Sequence, residues 1–173
     1  MTYNSWKKDL SDSVKALKTI EKTVLPRVIS GKIHSIETSH NFVLMLMDQK
    51  SGIDYIREDD VGLQGIAARV QWGKAWNTFT IRAARHTGAK TELEKRLSGI
   101  ANGYFYPAFT MQAYFNNRKD NLFLSLGIIK TKALFDFLKN YPDKIERNKS
   151  DNSFVFVRWY HLSNLVKTVM CNG

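Results

Sequence analysis

Cysteine is nearly missing from this chain. Cys171 is the single one in 173 residues, which excludes an internal disulfide and any zinc site built on paired thiolates. Proline occurs three times, and no proline- or serine-rich linker, low-complexity tract or internal repeat divides the sequence, so one domain spanning 1–173 is expected. Long apolar runs are lacking too. The longest, Phe42 to Met47, falls far short of the roughly 20 residues of a membrane span. The N-terminus carries no apolar core of a secretory signal. A soluble chain in a reducing compartment, the cytoplasm, is the expectation.

Several chemistries fail on spacing. His34, His40, His86 and His161 show no metal-ligand pairing and read as surface or hydrogen-bonded histidines. No Gly-x-Ser-x-Gly elbow supports a serine nucleophile. Gly88-Ala89-Lys90-Thr91 lacks the adjacent Gly-Lys and the upstream glycine of a phosphate-binding loop, and reads as a loop with a helix cap.

Basic residues are abundant. Lys and Arg number 26 against 16 acidic residues, a net charge of +10, which favours a polyanionic partner through counterion release. About half of that excess lies between Arg69 and Arg96, where Arg69, Lys74, Arg82, Arg85, Lys90, Lys95 and Arg96 face only Glu92 and Glu94. Trp72, Trp76, Phe79, Tyr104 and Tyr106 are interleaved with these charges or follow them. Arginine forks suit phosphates and aromatic faces stack unpaired bases. Arg69, Arg82, Arg85, Lys74 and Lys90 are therefore candidate nucleic-acid contacts. The alternative is that the aromatics form core and the arginines an outward strand face.

Periodicity supplies the elements. Trp6, Leu10, Val14, Leu17, Ile20 and Val24 recur at three- and four-residue spacing, predicting an amphipathic helix over 5–24 with a lysine-rich exposed side. A short helix over 27–37 follows Pro26. The run 42–47 reads as a buried strand turning into a partner at 53–57, with strands at 63–72 and 77–84 completing a meander. A helix from Thr91 to about Gly99 has a threonine cap and early acidic residues. Strands follow at 103–109, 122–129 and 154–160, with a helix at 131–139, a solvated loop at 143–153 and a closing helix at 163–170. The fold class is mixed α/β, a mostly antiparallel sheet of about five or six strands flanked by helices.

Asp54, within Gly52-Ile53-Asp54-Tyr55-Ile56, is a carboxylate among apolar neighbours, a position that is costly unless hydrogen bonding or a cation compensates it. An ion pair with Arg57, Arg69 or Arg82 is one reading. Asp48 reads as a turn residue, and Glu92 and Glu94 as complements to a helix N-terminus.

A helix, three strands, a helix and a strand, with Asp54 on the second strand and the same-face pair Arg69 and Gln71 on the third, resembles the core of the PD-(D/E)XK nuclease superfamily over about 37–109. The segment Gly88-Ala-Lys-Thr-Glu-Leu-Glu-Lys95 followed by Gly103-Tyr-Phe-Tyr106 is similar to stretches in its small phage or mobile-element members. The resemblance implies a restriction-endonuclease-like core with a C-terminal extension over 120–171. It also implies a metal-dependent phosphodiester nuclease acting on DNA. On that basis Asp54 and Glu37 would hold Mg²⁺, with Mn²⁺ as substitute, Gln71 would complete the site, and Lys95 would add charge from the following helix. Arg69 and Gln71 stand where the family has an acidic residue and a lysine. That departure keeps a second reading open: a non-catalytic, nuclease-derived phage or mobile-element factor that binds DNA or inhibits a host protein. A homodimer is compatible with either.

Overall fold

The computed structural model describes residues 3–36, 41–84, 88–103, 105–148 and 153–171. Glu37, His40, Arg85, His86 and Tyr104 of the sequence reading lie outside them. Helix α1 spans Tyr3–Thr23, and within it Ala16, Leu17 and Ile20 are buried while Lys15, Lys18 and Lys22 are exposed. The sidedness of the apolar spacing is thus realised. Short α2, Leu25–Val28, carries Pro26 in its first turn, where the missing N–H costs nothing.

The helix predicted over 27–37 is corrected. Gly31 sits at φ +98°, a conformation that ends helical continuity, and the chain turns into strand β1, Lys32–Ser35. The strand predicted at 42–47 is also absent. Phe42–Leu46 forms helix α3 because the Asn41 side chain accepts from the backbone N–H of Val43 and Leu44, a local cap that outcompetes a ladder. Phe42 and Val43 are 72% and 61% exposed, so the start of the apolar run lies outside the core. A π-helical turn, Met47–Ser51, follows and closes on Gly52 in the left-handed region at φ 59°.

Strands β2 (Tyr55–Asp59) and β3 (Gly62–Trp72) form a hairpin, with β1 on the outer side of β2. The expected meander ends there. Strand β4, Thr78–Arg82, leaves the sheet, and helix α4, Glu92–Asn102, crosses over to deliver β5, Phe109–Phe115, parallel to β3. Helix α4 runs past Gly99 to a left-handed cap at Gly103, φ 65°. The strand predicted at 103–109 is replaced by a connection containing Pro107, which cannot donate to a ladder. Strand β6 (Phe123–Lys130) and helix α5 (Thr131–Asn140) lie where the periodicity places them.

After a 3₁₀ turn at Pro142–Lys144, two-residue strand β7, Glu146–Arg147, interrupts the expected loop. Strand β8, Phe154–Arg158, passes into a 3₁₀ turn at Trp159–Leu162. The closing helix predicted at 163–170 is instead strand β9, Lys167–Met170, which pairs with the free edge of β6 from Ser125↔Met170 to Ile128↔Lys167. Edge pairing outweighs local helical preference over so short a segment.

The fold is mixed α/β. A six-stranded sheet in the order β1-β2-β3-β5-β6-β9, antiparallel except for β3/β5, lies beside a three-stranded antiparallel sheet in the order β4-β8-β7. Strand alternation separates two cores. Ile66, Met111, Ala113, Phe115, Leu126 and Ile128 pack against α1 and α2, whereas Tyr114 and Ile129 meet Phe79, Leu134, Val157 and Trp159.

Polar groups fasten the second layer. The Tyr114 hydroxyl accepts from the Thr78 N–H at 3.1 Å and donates to the Thr78 carbonyl at 3.0 Å. The Gln112 Oε1 accepts from the Thr80 N–H at 3.3 Å. Strand β4 is thereby held above β5 by side chains, which explains why it does not join the first sheet as a neighbour of β3. At Gly127 a Cβ would come within 2.5 Å of the Trp159 ring. Gly127→Ala must push that indole out of the second core. A loss of about 1–3 kcal/mol is expected, read as a lower urea midpoint at unchanged slope.

Candidate phosphodiester site

The two strands β2 and β3 begin to separate at Asp54. Its backbone still belongs to the ladder: the Asp54 N–H donates to Ile66 O at 2.9 Å, and its carbonyl accepts from Ile36 N at 3.0 Å. Its side chain reaches further, the Oδ2 accepting from the Ala68 N–H at 2.6 Å. Asp54 therefore stands one residue ahead of β2 and not within it. The carboxylate's need for a donor is met by the backbone of β3.

Above it lies a cleft of about 340 Å³, lined by Asp48, Asp54, Ala67, Ala68, Arg69, Thr80, Glu92, Lys95, Arg96 and Gln112 among others. Helix α4 supplies three of these from one face, because positions 92, 95 and 96 share a side at three- and four-residue spacing. The helix is anchored by a complete capping box. The Thr91 Oγ1 accepts from the Glu94 N–H at 3.2 Å, and the Glu94 Oε2 accepts from the Thr91 N–H at 2.7 Å. The Thr91 N–H and hydroxyl, both donating to the Glu94 carboxylate, hold it below its usual range. Glu92 is the one that turns inward. Its Oε2 accepts from Arg69 Nη2 at 2.6 Å and from the Arg82 N–H at 3.3 Å.

Arg96, 3% exposed, is the pivot. Its guanidinium donates to the carbonyl oxygens of Ser51 and, at 2.8 Å, of Gly52. Lys95 Nζ donates to the Gln49 carbonyl at 2.9 Å. Helix α4 thus clasps the π-helical turn from below, and such turns recur at functional sites. Burial pushes the Arg96 pKa down, while Glu92 and then Asp54 oppose the shift. Both carboxylates therefore bear on the same guanidinium. The Arg96 Nε is buried with no hydrogen-bond partner among the described residues.

Of the expected site residues, Asp54, Arg69 and Lys95 converge on this cleft. Gln71 does not line it; the side chain accepts from Gln112 Nε2 at 3.1 Å and faces a neighbouring groove. Arg69 and Arg82 lie over the Phe154 ring at 5.5 and 5.0 Å. Lys74 lies over Trp76, and Lys90 is exposed. Phe79 is fully buried core, and Trp72 sits beneath Arg118. Asp48, read from sequence as a turn residue, Glu92, read as a complement to the helix N-terminus, and Arg96, counted only as part of the basic cluster, also line the cleft, as do Thr80 and Gln112, which the sequence did not single out. The shared helical face of Glu92, Lys95 and Arg96 was the available signal. No protein-family model, curated protein or solved structure matches the chain.

Two outcomes test this geometry. Arg96→Met leaves the Ser51 and Gly52 carbonyls without their donor and removes a buried cation near Glu92 and Asp54, and stability falls by roughly 2–5 kcal/mol in urea unfolding. Asp48 has a raised pKa, chiefly from burial and despite Lys95. Since its folded value exceeds its unfolded one, its contribution is fully present below the unfolded pKa and is lost as pH rises through the folded pKa. Asp48→Asn is accordingly expected to raise the melting temperature near neutral pH. That gain disappears below the ordinary aspartate range, as a pH series of thermal melts reads directly.

Proposed function

We propose that the chain is a nucleic-acid-binding protein of nuclease type, cytoplasmic, whose cleft takes a phosphodiester of DNA. One observation carries the reading: the β3–α4–β5 crossover brings Asp54, Glu92, Arg69, Lys95 and Arg96 to a single cleft where the β2/β3 hairpin opens. The resemblance to the PD-(D/E)XK superfamily rests on a helix, three strands, a helix and a strand; in the fold Lys32–Ser35 takes the place of the first strand expected at 42–47, β4 intervenes before α4, and Phe109–Phe115 takes the place of the strand expected at 103–109. The net charge of +10 supports a polyanionic partner.

The cleft residues divide the work by charge. Lys95 and Arg69 offer N–H donors to phosphate oxygens, and the buried Arg96 adds a fixed positive field from the floor. The carboxylates of Asp48, Asp54 and Glu92 are hard oxygen donors. They suit Mg²⁺, which takes one or two protein carboxylates together with phosphate oxygens and water. Among the described residues no three His, Cys, Asp or Glu side chains are grouped to hold a metal by themselves, so the protein's share would be a pair such as Asp54 and Glu92. When bound, the ion would activate water and neutralise charge developing on the phosphate. Asp54 is positioned for this by the Ala68 N–H, and Glu92 by Arg69.

A second reading, a non-catalytic DNA-binding or host-directed factor, draws on the Arg69–Glu92 ion pair, which commits the third-strand cation to a structural partner. Plasmid cleavage in Mg²⁺ and Mn²⁺, run beside a salt titration of DNA binding, separates the readings. Asp54→Ala is expected to abolish metal-dependent cleavage while leaving affinity within about threefold of wild type. Wild-type protein that binds DNA yet cuts it in neither metal removes the hydrolytic reading and leaves the second. Absence of salt-sensitive DNA binding altogether removes the hydrolytic reading and the DNA-binding form of the second, leaving a purely protein-directed inhibitor.

A further inference from the structure

The phosphodiester cleft does not end at Gln112. Its wall is the Gln71–Gln112 hydrogen bond, and Thr80 lines both the cleft and a second groove of about 280 Å³. Trp76 and Arg158 line that groove, and they line a third of about 410 Å³ together with Tyr160. Trp76 thus stands between two recesses, the first of which adjoins the cleft at Thr80.

Trp76 is 54% exposed and Tyr160 69% exposed, in contrast to the aromatics that fill the cores. The turn that presents Trp76 is held firmly. Asn77 occupies the left-handed region at φ 52°, its carbonyl accepts from Trp159 N at 2.8 Å, and its Oδ1 accepts from Ser125 Oγ at 2.8 Å. Lys74 Nζ lies over the Trp76 ring, 5.0 Å from its centroid. Arg158 is paired with Glu146 at 2.6 Å, and Lys74 is a second cation beside the indole, placed to meet a phosphate.

Resting on the nucleic-acid reading above, we infer that Trp76 and Tyr160 form a stacking platform for unpaired nucleobases, continuous with the phosphodiester cleft, and that the preferred ligand is single-stranded DNA. A large aromatic on a rigid turn offers a base a π-face at little entropic cost. The Lys74 ammonium covers one side of the indole and meets the backbone phosphate next to the stacked base. A duplex keeps its bases inside the helix and cannot use such a platform.

Fluorescence anisotropy of a labelled oligothymidylate and of a blunt duplex of equal length, with the full chain at fixed low salt, tests this. Trp76→Ala is expected to weaken single-strand binding by about 5- to 100-fold and duplex binding by no more than about twofold. Trp76→Phe keeps most of the affinity, and Tyr160→Ala produces a smaller single-strand defect of the same selectivity. Equal losses on both ligands, or no loss on the single strand, overturn the inference. So does wild-type protein that prefers the duplex, and in that case the phosphodiester reading stands. Wild-type protein that binds neither ligand brings down that reading as well.

Discussion

The Arg96 guanidinium, sunk beneath the π-helical turn and bonded to the Ser51 and Gly52 carbonyls, is the contact on which the rest of the site depends. It joins the crossover helix to the segment that feeds Asp54 into the hairpin. A buried arginine is tolerable only where acceptors and negative charge surround it. Here the acceptors are backbone carbonyls at the end of a helical turn and the charges are Glu92 and Asp54. Gly52 leaves the room, since even a Cβ there would lie 3.1 Å from Nη2. The left-handed glycine, the short helix before it and the capped helix below are therefore one mechanical unit.

Around that unit the cleft balances charges of both signs at close quarters. Arg69 is held by Glu92, Lys95 by a carbonyl and Asp54 by a strand N–H. Each of these side chains is thus held in one orientation by the fold itself. At Asp48 burial, not charge, displaces the pKa upward, and the nearby Lys95 offsets only part of it.

Elements with a strong local signature were legible in the sequence. Helices α1, α4 and α5 announce themselves by three- and four-residue spacing, α4 also by its threonine cap, and β3 and β6 by length and apolar content. Strand β5 was not, because Phe109–Phe115 is buried on nearly every position and shows no alternation from which a strand face is read. Strands β1 and β9 are four-residue edges that pair with neighbours distant in sequence. The apolar run 42–47 misled because a side-chain cap at Asn41 decides its conformation. Within the site, Asp54 was visible as an oddity. Arg96 was not, since its partners lie 44 and 45 positions away and nothing local marks one arginine among many as buried.

The parallel pairing of β3 with β5 has a kinetic consequence. The β1–β2–β3 portion pairs through nearby contacts, whereas the β3/β5 pairing spans the segment that carries β4 and α4. Closing so long a loop is slow and is rewarded only at the end. Helix α4, which carries Glu92, Lys95 and Arg96, is fixed in place by that last docking. The cleft is hence among the final features to form, and a nascent or partly unfolded chain presents basic surface without an assembled site.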